Sequence, residues 1–136
     1  MRGLHLTADL HGCADRDTTL TDLDALRGAC LAAVAASGLT PVGELFHRYA
    51  PAAGHGAGAP VGITGVVLLA ESHLALHTWP ELAAATLDVY VCNFGADNSA
   101  RAHALLDRLV ALFEPAHVER RALDRGTMPA RGALST

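Results

Sequence analysis

The sequence contains no lysine; its ten basic residues are all arginine, spread singly apart from Arg120-Arg121. Charged residues fill only 18% of the 136 positions, and the net charge is −4. A nucleic-acid binder needs a basic stripe to neutralise phosphates, and this chain has none to offer. Cysteine is scarce as well. Cys13, Cys30 and Cys92 are odd in number and lack CxxC spacing. That excludes a disulfide frame or zinc knuckle and fits reduced thiols in the cytoplasm. The longest apolar runs fall far short of the ~20 residues of a membrane span, so no membrane partner is expected. The start, Met1-Arg2-Gly3-Leu4-His5, enters a strand-like pattern at once and does not read as a signal peptide.

Apolar residues, in contrast, make up 51% of the chain. A chain of this length buries a real core without disulfide or metal staples and fits one domain over 1–136. So little charge beside so much apolar content implies surface hidden in an oligomer. Leu4, Leu6, Ala8 and Leu10 alternate with His5, Thr7 and Asp9, the period of a strand. Thr21 or Asp22 is placed to cap a helix with Leu23, Leu26, Cys30, Ala33 and Val34 on one face, and Gly38 to stop it. Residues 42–49 read as a second strand, 50–62 as a flexible loop of Ala, Gly and Pro, and 64–70 as a buried strand. A short extended piece is expected around Leu74 and Leu76, then a clear strand over 86–92. A second helix begins near Asp97 or Ser99, carries Leu105, Leu106, Leu109, Leu112 and Phe113 inward, and ends before Pro115. Residues 117–123 read as a polar last strand and 126–136 as a disordered tail. The order predicts an α+β fold: a two-layer sandwich of an antiparallel sheet with two helices on one face, the other face covered by a second subunit.

The chemistry concentrates in Glu71-Ser72-His73-Leu74-Ala75-Leu76-His77-Thr78-Trp79-Pro80-Glu81, directly after the apolar run Gly65–Ala70. A plain strand or helix has no need of a hydroxyl, two imidazoles, two carboxylates and the only tryptophan side by side. A serine at a strand end can attack the preceding carbonyl and turn its amide into an ester. Removal of the serine α-proton then expels the upstream chain. The dehydroalanine left behind tautomerises and loses ammonia to water, giving a pyruvoyl group. Such a sequence needs a hydroxyl, an acid or base and help for the oxyanion. Ser72, His77 and Thr64 are residues of those types.

This stretch resembles the self-cleavage segment of the bacterial S-adenosylmethionine decarboxylase proenzymes, and the resemblance extends over roughly residues 3 to 125. It implies cleavage at Glu71-Ser72 into 1–71 and 72–136, with a covalently bound pyruvoyl group derived from Ser72. It implies that His77, and Thr64 in Gly62-Ile63-Thr64-Gly65, assist processing. It makes Cys92, twenty residues after Ser72, the catalytic proton donor. Glu81 of Trp79-Pro80-Glu81 then holds the substrate ribose, and Tyr49 of Phe46-His47-Arg48-Tyr49 stacks on the adenine. The family more often has Ser at the position of Thr64 and Phe at that of Tyr49. Its short members have a shorter loop than 51–60, and often an aromatic where Leu10-His11 stand, a departure expected to touch the substrate pocket. The implied activity is decarboxylation of S-adenosyl-L-methionine to the aminopropyl donor for spermidine, by a homodimer of cleaved two-chain protomers. A pyruvoyl ketone forms a Schiff base with the substrate amine and draws off electrons as CO₂ leaves. A thiol, with an ordinary pKa of ~8.5, suits the protonation that follows.

Blander readings stand beside each of these. Ser72 alone reads as a turn hydroxyl, Cys92 as a small hydrophobe, Trp79 as a packing anchor and Glu81 as a solvated carboxylate. Cys30 belongs to the core, and Cys13 lies in a polar turn with no role. His73 and His77 are four apart, but no HExxH or third ligand accompanies them and Pro80 opposes a long helix, so no metal is expected. The rival activities are pyruvoyl-dependent decarboxylation of ornithine or arginine and, from another class, S-adenosylmethionine binding without turnover.

Overall fold

The computed structural model describes residues 2–14, 19–51 and 61–126. The expected flexible loop falls largely on residues 52–60, and the expected tail on 127–136; both lie outside the described residues. Among the described residues there are six strands and two helices: β1 (Gly3–His11), α1 (Leu23–Ala36), β2 (Pro41–Arg48), β3 (Ile63–Leu69), β4 (Ser72–Trp79), β5 (Ala84–Cys92), α2 (Ser99–Phe113) and β6 (His117–Arg125). A short 3-10 turn, Pro80–Leu82, joins β4 to β5. The strands form one sheet in the order β2-β3-β4-β5-β1-β6, every neighbouring pair antiparallel.

Local chemistry sets the helix ends. Asp22 caps α1 by accepting from the Ala25 amide at 3.0 Å, and Gly38, at φ +79°, takes the left-handed turn after it. Helix α2 stops at Phe113 because Pro115 lacks an N–H and blocks the next turn, and Glu114 makes the turn at φ +43°. Alternation sets the sheet's two faces. Leu4, Leu6, Ala8 and Leu10 of β1, Leu74 and Leu76 of β4, and Ala85, Leu87, Val89 and Val91 of β5 share one core with Leu26, Cys30 and Val34 of α1 and Leu105, Leu109 and Phe113 of α2. Both helices therefore lie on one face. Burying each such leucine contributes about 1.5–3 kcal/mol against the entropy of ordering the chain.

Among the described residues no helix lies on the opposite face. By register it presents Leu45, His47, Thr64, Val66, Leu68, His73, Ala75, His77, Trp79, Thr86, Asp88, Tyr90, Cys92, His5, Thr7 and Asp9, ending with Glu119, Arg121 and Leu123 on edge strand β6. Among the described residues no helix is long and apolar enough to cross a membrane.

Three expectations need correction. The short piece around Leu74 is a full eight-residue strand, because β3 and β5 hydrogen-bond it on both sides. Cys13 is buried rather than in a polar turn, its amide donating to the Ala83 carbonyl at 2.8 Å. Leu10 is fully buried under the helices, so only His11 of that pair faces outward.

Candidate active site

The β3–β4 hairpin turns on Ala70 and Glu71, with Leu69 paired to Ser72 across it. Glu71 is held at φ +55°, the left-handed region that favours glycine. For a residue with a Cβ that conformation costs about 1–2 kcal/mol. The strain sits on the residue whose carbonyl a Ser72 attack would reach. Ser72 Oγ accepts a hydrogen bond from the Cys92 amide at 3.1 Å. The Cys92 carbonyl in turn accepts from Asn98 Nδ2 at 2.9 Å. Asn98 is the first residue before α2, yet its side chain makes no capping bond. It holds Cys92 instead, and its own amide is held by Asn93 Oδ1 at 2.8 Å. The backbone of Cys92 is thus pinned on both sides beside the serine hydroxyl.

A second group forms at the far end of the same strands. Thr64 of β3 lies opposite His77 of β4, and Thr64 Oγ1 is 2.8 Å from His77 Nδ1. The Tyr49 hydroxyl is 2.6 Å from Thr64 Oγ1. A continuous hydrogen-bond chain therefore runs Tyr49–Thr64–His77, able to pass a proton in either direction. Trp79 stacks on His77 at 5.4 Å and 20°, fixing the imidazole plane. Glu81 follows in the 3-10 turn at this end, exposed to solvent.

The structure therefore brings Ser72 to Cys92, and Thr64 to His77 and Tyr49, but does not bring the two groups together within one chain. Five residue steps of extended strand take Ser72 to His77, about 17 Å at roughly 3.3–3.4 Å per step.

Sequence reading passed over a row between them. His5, Tyr90 and His73 lie in register across β1, β5 and β4. Tyr90 stacks on His73 at 5.5 Å and meets His5 edge-on at 6.2 Å, and His5 Nε2 lies 2.8 Å from Asp88 Oδ1. Burial, reinforced by His5 and Arg125 and opposed by Asp88, lowers the His73 imidazole below its ordinary 6.5. The available signal was the ring-bearing residues at positions that alternate with the buried apolar ones in three strands.

The three thiols differ sharply. Burial pushes Cys30 up to about 12 and also raises Cys13. Cys92 is partly exposed. Native protein treated with iodoacetamide at pH 8 is therefore expected to gain one adduct, at Cys92, and three after denaturation. Rapid native labelling of Cys30 would contradict the packing described.

The geometry is that of an enzyme: a serine hydroxyl next to a strained turn, a cysteine whose backbone is pinned beside it, and a hydrogen-bonded imidazole further along the same strand. The family model for S-adenosylmethionine decarboxylase matches residues 4–126. The S-adenosylmethionine decarboxylase proenzyme of Hydrogenobaculum sp. (strain Y04AAS1) is 37% identical over 124 residues, 91% of this chain and 81% of that one. That of Aquifex aeolicus is 36% identical over 126 residues, with the same coverage of each. The crystal structure of the Aquifex aeolicus adenosylmethionine decarboxylase superposes with a TM-score of 0.78 at 30% identity, covering 95% of this chain and 94% of that chain. The Trypanosoma brucei AdoMetDC-delta26 monomer shares the fold, with a TM-score of 0.54 at 12% identity, covering 86% of this chain and 44% of that one. The chain belongs to the S-adenosylmethionine decarboxylase family.

Proposed function

We propose that this protein decarboxylates S-adenosyl-L-methionine to supply the aminopropyl donor for spermidine, after cutting itself between Glu71 and Ser72. The observation that carries the reading is Ser72 Oγ at the Cys92 amide, directly after a glutamate at φ +55°. Attack by Ser72 Oγ on the Glu71 carbonyl relieves that strain as the amide becomes an ester. Loss of the Ser72 α-proton then breaks the Cβ–O bond, and Glu71 departs as a carboxylate. Water takes the nitrogen of residue 72 away as ammonia. The products are fragments 1–71 and 72–136, which stay together as one domain through the shared sheet.

The residues fit a pyruvoyl group at position 72, because anything built there lies beside Cys92. When present, that group supplies an electron sink for decarboxylation of an α-amino acid. The sequence has no lysine to anchor pyridoxal phosphate in the usual way. Cys92 holds the proton delivered to the substrate carbon. Tyr49 offers an aromatic face to adenine and a sulfonium, and Glu81 a carboxylate to the ribose hydroxyls.

The Thr64–His77 group serves processing from a second copy. Two observations support this. Ser72 and His77 of one chain are about 17 Å apart. The uncovered face also exposes Leu45, Leu68 and Leu123 at 69%, 50% and 60%. Two such faces packed about a twofold axis bring the Ser72 end of one protomer to the His77 end of its partner, and hide the apolar surface.

Release of CO₂ from carboxyl-labelled substrate tests the activity. Turnover of S-adenosylmethionine, with ornithine and arginine at least a hundredfold poorer, is the expected result. Preference for either basic amino acid, or none for any of the three, would overturn the assignment.

A further inference from the structure

We propose that Tyr90, set between His5 and His73, is a positioning residue that clamps the chain start created by cleavage and so keeps residue 72 in line with Cys92 during turnover. This rests on the reading that the chain cuts itself before Ser72.

Cleavage turns the middle of a hairpin into a chain terminus. Chain termini fray unless something ties them down. Before cleavage, residue 72 is held by the covalent turn through Ala70 and Glu71 and by its pairing with Leu69. Afterwards the turn is gone, and the group at position 72 hangs from the backbone nitrogen of His73. His73 is then the first residue with a side chain able to grip the sheet.

That side chain is the one stacked on Tyr90 at 5.5 Å, with ring planes 30° apart. Tyr90 is itself held from three further sides. Its ring meets His5 at 89°, the Arg125 guanidinium lies 5.1 Å from its centroid, and it crosses the backbone of Gly3. His5 is oriented by Asp88 at 2.8 Å. Gly3 pairs with Cys92 in register, so the Tyr90 ring leans toward the Ser72–Cys92 end of the sheet. A methyl group at residue 3 would stand 2.6 Å from Tyr90 Cε2, and the ring would have to leave. Glycine at this position is therefore what lets the ring lie there. His73, kept neutral by burial, stacks without bringing a second charge toward Arg125. The His5–Asp88 pair is 23% and 45% exposed, too open to matter much for stability. Its consequence is the direction in which His5 faces Tyr90.

The clamp acts only once the covalent turn is lost, so it separates cleavage from turnover. Tyr90→Ala removes the ring. Gly3→Ala displaces it from another strand while leaving every proposed catalytic residue unsubstituted. Both variants are expected to cleave at the wild-type rate and then decarboxylate S-adenosylmethionine with kcat at least tenfold lower and KM unchanged. Tyr90→Phe, which keeps the stack, is expected to restore wild-type kcat. Unchanged kcat in Tyr90→Ala and Gly3→Ala would overturn the proposal. So would cleavage and turnover falling together, since that marks a merely structural ring. A wild-type chain that never cleaves would instead remove the self-processing reading on which the clamp depends.

Discussion

Ser72→Ala chains, uncleaved when produced alone, and His77→Ala chains, cleaved only very slowly alone, are expected to yield cleaved protein readily when co-expressed. The expectation follows from the split of the site. Ser72 sits at the Cys92 amide and His77 at Thr64, at opposite ends of β4. In a twofold dimer each site takes its serine from one chain and its imidazole from the other. A mixed pair then contains one site with neither group and one with both. With random pairing, about half of the His77→Ala chains meet a partner that supplies His77 and are cut, while no Ser72→Ala chain is cut. Alone, His77→Ala is expected to process about 10²–10⁴-fold more slowly, the usual contribution of a positioned acid or base. Mass spectra of the co-expressed mixture read all of this directly. Absence of cleavage in the mixture would mean that serine and imidazole act within one chain, against the geometry described.

Cys92→Ala is expected to cleave normally and then lose about 10²–10⁴-fold in kcat. The contact between Cys92 and Ser72 runs through the backbone amide, which an alanine keeps. Asn98 continues to hold the backbone carbonyl at 2.9 Å. What disappears is the thiol proton. Cys92→Ser is expected to rescue little, because a hydroxyl is a far weaker acid than a thiol of ordinary pKa ~8.5. Full turnover by Cys92→Ala, followed as CO₂ release from the cleaved enzyme, would remove the thiol from the chemistry.

Much of the fold was legible in the sequence because the apolar periods are clean. The alternation from Leu4 to Leu10, the capping Asp22 and the stop at Pro115 each report a local preference that the tertiary structure keeps. The chemistry-bearing segment was legible as a cluster of residue types, but its layout was not. Leu74 and Leu76 alternate with His73, Ala75 and His77, which marked the segment as extended, but so short an apolar run did not show that the strand continues from Ser72 to Trp79. Once the strand is continuous, five residues mean about 17 Å, and a cluster in sequence becomes two groups in space. The burial of Cys13 depends on a bond to Ala83, seventy residues away, and no local signal encodes it. The row through His5, Tyr90 and His73 has the same origin, since it exists only when three strands fall into register. Long-range pairing of this kind is set by the whole sheet, not by any window of the chain.

The measurement that bears most directly on the central claim is the intact mass of the purified protein under denaturing conditions, beside a Ser72→Ala control. The account predicts two fragments meeting at Glu71-Ser72, the second lighter than a serine-started chain by one ammonia, and a single chain in the control. A wild-type chain still whole after long incubation would contradict it.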